Sequence, residues 1–288
     1  MIVHPVVRRR AEQVGPTGEK WLAGLDSLLA RLADRWSFEV GEQLFGGVGS
    51  VVFRVRQVDG DRVDRDAVLK LAIPEPGFPQ RIAAFGGRGY ARVYAYDLDH
   101  HALLLESLGP SLANLGYPAE RVVAELGRML RISWRDTDEP AVPRAANHAR
   151  FISDLWRELS PPYPESLLAK ALSCAENRSA APGRRAVVHG DPHADNALRG
   201  SDGFVFVDPV GFVCEPAYDC GVVLRDTNPE EFPALCRQLA EITELPVRTI
   251  AEWTFIERVS TGLYLLSLDS PELGAKFLDA ALYSCRAR

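Results

Sequence analysis

The sequence lacks any apolar run long enough to span a membrane. The basic Arg8-Arg9-Arg10 is not followed by an apolar segment, so it does not read as a signal peptide. There is no basic surplus either. A net charge of −6 and an isoelectric point near 5.6 leave no domain-wide positive surface, which argues against a nucleic-acid binder. The five cysteines, Cys174, Cys214, Cys220, Cys236 and Cys285, form no C-x-x-C pair and no framework spacing. A disulfide scaffold is thereby excluded, and reduced thiols are expected. No internal repeat or low-complexity tract is present, and 47% hydrophobic with 25% charged residues excludes disorder. The expectation is a soluble, cytoplasmic, monomeric protein with no nucleic-acid or membrane partner.

What is present begins with length. At 288 residues the chain exceeds the usual single core, so two lobes are expected. The most informative stretch is Val187-Val188-His189-Gly190-Asp191-Pro192-His193-Ala194-Asp195-Asn196. Two β-branched residues lead into a loop dense in His, Asp and Asn, and Ala197-Leu198 lead out. Arg199-Gly200-Ser201-Asp202-Gly203 reads as a turn, followed by the strand Phe204-Val205-Phe206-Val207 and then Asp208. A hairpin of this kind can gather Asp191, Asn196 and Asp208 into one site. The trio suits phosphoryl transfer, with one carboxylate taking a hydroxyl proton while an amide and a second carboxylate hold magnesium. Two other readings stand beside it. His189, Asp191 and His193 could ligate zinc in a hydrolase, or the loop could be structural, with Asp191 and Asn196 satisfying backbone amides.

The first half supplies further candidates. Residues 1–18, with Pro5, Gly15, Pro16 and Gly18, predict little regular structure. From Glu19, Trp21, Leu22, Leu25, Leu28, Leu29, Leu32 and Trp36 recur at helical spacing. Phe38 to Val58 reads as two strands around a segment containing Gly46, Gly47, Gly49 and Ser50. Glycines there let backbone amides approach phosphates, although a simple hairpin turn is as common a meaning. Asp59-Gly60-Asp61 marks the next turn. Lys70 lies in the apolar strand Ala67-Val68-Leu69-Lys70-Leu71, where a buried ammonium needs an anion; an edge-strand lysine facing water is the alternative. The segment after it leaves room for a short helix beyond Pro79, and its only acid, Glu75, sits between two prolines. Strands are expected at 91–97 and 102–106. Helices are expected at 119–134, 145–159, 165–176, 230–242, 247–268 and 271–285, with a loop at 177–185.

The motif H-G-D-x-H-x-x-N over residues 189–196, followed by a strand and Asp208-Pro209, resembles the aminoglycoside phosphotransferase family of kinase-like enzymes. Cys214-Glu215-Pro216-Ala217-Tyr218-Asp219 extends the likeness toward the streptomycin 6-kinase and hydroxyurea phosphotransferase branch. The resemblance implies an α+β, bilobal protein-kinase-like fold, with a β-rich lobe at 1–106 and a largely helical lobe at 107–288. It implies ATP and Mg2+ as cofactors, Asp191 as the catalytic residue, and Asn196 and Asp208 as metal ligands. His189 would brace the loop, and Asp219 would hold the backbone near it. Lys70 would meet the α- and β-phosphates over the loop formed by Gly46, Gly47, Gly49 and Ser50, and would ordinarily pair with a helix glutamate. Only Glu75, or nothing, fills that place. The Glu106 carbonyl and the Leu108 amide would read adenine at a hinge. His193, Asp195 and Glu215 are candidate substrate contacts. The implied acceptor is a small molecule, most simply the cationic aminoglycoside streptomycin, with hydroxyurea as the alternative. A nucleotide-binding module without transfer activity is the alternative of another class.

Overall fold

The computed structural model describes residues 2–59, 62–75, 77–78, 85, 88–180 and 183–286. The chain divides into two compact units, one of residues 1–85 and 91–109, the other of residues 86–90 and 110–288.

The first unit opens with helices α1 (Pro5–Gln13) and α2 (Pro16–Trp36). Helix α1 corrects the expectation of little regular structure. Pro5 stands in the first turn, where its missing N–H costs nothing, and His4 Nδ1 caps the Val6 amide at 3.3 Å. Val7, Ala11 and Val14 form a one-sided apolar set that the exposed Arg8–Arg10 run disguises. Gly18 of α2 lies so close to Ala11 that a Cβ would overlap its carbonyl. In α2, Trp21, Leu25, Leu28 and Leu32 face inward, as their spacing predicts.

They pack on an antiparallel sheet of β1 (Phe38–Leu44), β2 (Ser50–Asp59), β3 (Arg62–Ala72), β4 (Val93–Asp97) and β5 (Ala102–Glu106), in the order β1-β2-β3-β5-β4. Along β3, Ala67, Leu69 and Leu71 are fully buried in the core shared with the helices. Lys70 alternates to the other face, in register with Val52 and Leu103. The Asp59-Gly60-Asp61 turn and the short helix beyond Pro79 fall largely outside the described residues.

The second unit is built around helix α8 (Val247–Ser267), with α3 (Ala119–Ser133), α4 (Arg144–Leu159), α5 (Glu165–Ala180), α6 (Ala217–Leu224), α7 (Phe232–Thr243) and α9 (Pro271–Arg286). Helices α4, α5, α6, α7 and α9 all contact α8, which is buried on every side along its middle. Helix α5 runs four residues past the expected Glu176, into the segment read as a loop. Helix α6 had no sequence signal because all eight of its residues are buried, which erases the polar face that makes a helix periodic. Two small sheets carry the loops of interest. One pairs β6 (Arg135–Asp136), β7 (Ala186–Val188) and β10 (Phe212–Cys214); the other is the hairpin of β8 (Ala197–Arg199) and β9 (Phe204–Phe206). Among the described residues no helix is long and apolar enough to cross a membrane.

Candidate active site

The loop leaving β7 is held by two buried side chains. Asp219, on α6, accepts from His189 N and Trp134 Nε1 through Oδ2 and from Gly190 N through Oδ1, each at 2.9 Å. Burial pushes its pKa up to about 6, against the pull of these three donors. His189 is equally buried, its ring edge-on to Phe206. Its Nδ1 accepts from Asp191 N at 3.1 Å, and its Nε2 bonds the Val207 carbonyl at 2.9 Å. A backbone N–H can only donate and a carbonyl can only accept, so the ring is neutral with its proton on Nε2. Burial accordingly lowers its pKa to about 4. Gly190 has φ +90°, and a Cβ there would sit 2.7 Å from Phe212 Cε1 and 2.8 Å from Val210 Cβ, so glycine is required.

Asp191 stays 40% exposed in this frame. Arg225 Nη2 lies 3.6 Å from its Oδ1 and His193 Nε2 lies 3.4 Å from its Oδ2. Burial raises its pKa, but the hydrogen bond and charge of His193, then the charge of Arg225, outweigh that and leave it below the usual carboxylate range. His193 is shifted up, its desolvation overcome by Asp191. Asp195 flanks His193 at 3.5 Å and is otherwise exposed.

Asn196 ends a short 3-10 turn and donates from Nδ2 to the Asp191 carbonyl at 3.0 Å. The amide orientation is thereby fixed, with nitrogen toward the loop and oxygen as the group it can offer a ligand. The β8–β9 register sets Ala197 against Phe206, and Val207 N donates to Asn196 O at 2.8 Å. Asp208 follows at φ +56°, a left-handed position that a non-glycine residue adopts at a cost of about 1 kcal/mol or more. The chain then returns, with Val210 N and Gly211 N both donating to His189 O. Asp191, Asn196 and Asp208 thus lie on backbone segments bonded to one another. An amide oxygen and a carboxylate are hard oxygen donors that fit Mg2+. Zinc fits less well, because both His189 nitrogens are engaged internally. Among the described residues no three His, Cys, Asp or Glu side chains form a metal-binding group.

In the first unit, Gly49 O accepts from Ile73 N at 2.9 Å and Ser50 Oγ donates to Gly46 O at 2.8 Å, closing the loop between β1 and β2. Ser50 is buried, so its hydroxyl braces the loop. Gly46 packs against Val52; Gly47 takes φ +73°; space is open around Gly47 and Gly49. Glu75 pairs with Arg10 at 2.6 Å. Glu106 Oε1 accepts from Arg92 N at 2.8 Å, and Leu108 is half-buried just after the strand.

Glu215, expected as a substrate contact, lies apart from the Asp191 loop. Its carboxylate accepts from Trp253 Nε1 at 2.7 Å and meets Arg178 at 3.5 Å. It lines a cavity of about 610 Å3 whose walls include none of Asp191, Asn196 or Asp208. Conversely, Arg225, Glu257 and His148 carried no site motif in the sequence, yet Arg225 faces Asp191, Glu257 faces Arg225 and His148 faces Glu257. The available signal was Glu257-Arg258 in the middle of a helix whose neighbouring residues Phe255, Ile256 and Val259 are apolar.

Residues 35–258 match a family model described as aminoglycoside/hydroxyurea antibiotic resistance kinase. Streptomycin 6-kinase from Streptomyces griseus is 28% identical over 273 residues, 87% of this chain and 86% of that protein. Hydroxyurea phosphotransferase from Kitasatospora aureofaciens is 27% identical over 216 residues, 71% of this chain and 62% of that protein. An aminoglycoside phosphotransferase solved in ternary complex with AMP-PNP and hygromycin B gives a TM-score of 0.61 at 14% identity, over 90% of this chain and 99% of that one. The fold is therefore protein-kinase-like, with an antiparallel-sheet N-lobe and a helical C-lobe.

Proposed function

Because the chain belongs to the aminoglycoside/hydroxyurea antibiotic resistance kinases, phosphotransferases that act on hydroxyl groups, we propose that it transfers the γ-phosphoryl group of ATP to a hydroxyl of streptomycin. The observation that carries this reading is the Asp191 loop, ionised and part-exposed on a frame made by His189 and Asp219. In this reading Asp191 orients the acceptor hydroxyl and takes its proton as the phosphorus–oxygen bond forms. Asn196 and Asp208 would hold magnesium, which would supply positive charge to neutralise the phosphates. Lys70 and the loop of Gly46, Gly47 and Gly49 bind phosphates, while the Glu106 carbonyl and Leu108 amide bind adenine. We further read the enzyme as a cytoplasmic monomer.

Streptomycin is favoured over hydroxyurea because the streptomycin kinase is matched over more of both chains. The test is an ATP-consumption screen of both compounds and other aminoglycosides, with mass spectrometry of the product and Asp191→Asn as control. Singly phosphorylated streptomycin is expected, with turnover at least about a hundredfold lower in the variant. Near wild-type turnover of Asp191→Asn retires the mechanism; unmodified streptomycin retires only the acceptor.

A further inference from the structure

Resting on the reading of Asp191 as the catalytic carboxylate, we propose that Arg225 is its positioning residue, anchored from beneath by Glu257 and His148. Arg225 caps the C-terminus of α6, only six residues after Asp219. One helix therefore carries both the carboxylate that holds the loop backbone and the guanidinium that faces the loop's acid. The planar group meets three carboxylates. Nη2 lies 3.6 Å from Asp191 Oδ1, Nη1 lies 3.7 Å from Glu257 Oε2, and Nε lies 3.7 Å from Asp226 Oδ2. Glu257, on α8, turns its other oxygen to His148 Nε2 at 2.8 Å, and His148 Nδ1 bonds the Arg144 carbonyl at 2.9 Å.

A core has no need of this chain. Burying several charges costs more than an apolar cluster of the same volume, and truncating one member strands the others. Glu257 is almost wholly buried and Arg225 largely so. Burial opposes the charge on Glu257, and His148 first, then Arg225 and Arg144, restores it below the ordinary range. The network ends on a part-exposed carboxylate at the loop that phosphoryl transfer would use, which is where strongly interacting buried charges have a functional meaning. Its geometric consequence is specific. With Arg225 3.6 Å from Oδ1 and His193 3.4 Å from Oδ2, each oxygen of the Asp191 carboxylate faces its own nitrogen partner, which favours one orientation of the group. Arg225 is the buried, fixed side of that arrangement, since His193 is itself balanced by the exposed Asp195.

The plain structural alternative is that Arg225 only neutralises Glu257. Comparing Arg225→Met with the double variant Arg225→Met/Glu257→Gln separates the two, because the double variant removes the stranded charge. Turnover is read as ADP release with streptomycin and ATP-magnesium, and again without acceptor, where water takes the phosphoryl group. We expect Arg225→Met to lower kcat ten- to hundredfold with the KM for ATP unchanged. The double variant should regain thermal stability but not kcat. Arg225→Lys, which keeps the charge but not the planar fork, should remain folded and lose about tenfold in kcat. In an Asp191→Ala background, Arg225→Met should add no further loss. Recovery of wild-type kcat in the double variant, full activity of Arg225→Lys, or an additive loss on Asp191→Ala would each overturn the inference. An undamaged Asp191→Ala would instead remove the catalytic reading itself, and this inference with it.

Discussion

Two buried groups a hydrogen bond apart respond to acid in opposite directions. His189 is held near pKa 4, against 6.5 for a free histidine, so the unfolded chain binds the extra proton between those values. Stability from His189 is therefore present above pH 6.5 and lost as pH falls toward 4, by about 3 kcal/mol at most. Asp219 is raised to about 6 from 3.8, so the folded chain binds its proton first, and stability from that group is lost as pH rises through the same window. The two contributions nearly cancel. Between pH 7 and 4.5 this pair should therefore add little net pH dependence to denaturant titrations of the wild type. His189→Gln should gain stability relative to it as the pH falls, by up to about 3 kcal/mol. Parallel curves would refute the neutral buried ring. At this scale the sequence was legible where chemistry is local: H-G-D-x-H-x-x-N places Asp191 and Asn196 on one loop and suggests what His189 does. Arg225 and the true partners of Glu215 were not legible. Their contacts lie tens of residues away, and a lone Arg or Glu outside a motif reads as solvated.

Elements repeat the lesson in backbone terms. The spacing of leucines in α2 revealed which face was buried, and the strands of the five-stranded sheet formed where expected. Helix α6 was missed because complete burial leaves no period, and α1 because three consecutive arginines covered a short apolar stripe. Glycines divide in the same way between legible and hidden meaning. Gly190 is needed by the fold: an alanine there combines positive φ with contacts below 3 Å, and a loss of roughly 2–4 kcal/mol is expected. Gly49 has open space and no positive φ, so Gly49→Ala should leave stability within about 0.5 kcal/mol. Its methyl group would nevertheless obstruct phosphates approaching the loop amides. The KM for ATP should then rise severalfold, with the melting temperature unchanged. Unchanged kinetics in a folded Gly49→Ala would separate this loop from nucleotide binding.

Charge is unevenly distributed over the molecule. Residues 1–109 hold 14 Lys and Arg against 14 Asp and Glu, whereas residues 110–288 hold 19 against 25, so the whole net charge of −6 resides in the second part. A dicationic acceptor such as streptomycin is attracted by that field; neutral hydroxyurea is not. The attraction cannot come from Asp191, whose oxygens face Arg225 and His193. It must come from acids that keep water contact, among them Asp195 at 69% exposed and the exposed Glu230. Exposed charges act through solvent and are screened by salt, with a Debye length of about 10 Å at 0.1 M falling to about 3 Å at 1 M. The KM for streptomycin should therefore rise severalfold between these salt concentrations, while kcat, which depends on buried groups, changes little. The KM for hydroxyurea, a neutral acceptor, should not respond to the same change in salt. A streptomycin KM that does not respond to salt would mean that the acceptor is recognised by shape and short polar contacts, and that the acidity of residues 110–288 has no part in its capture.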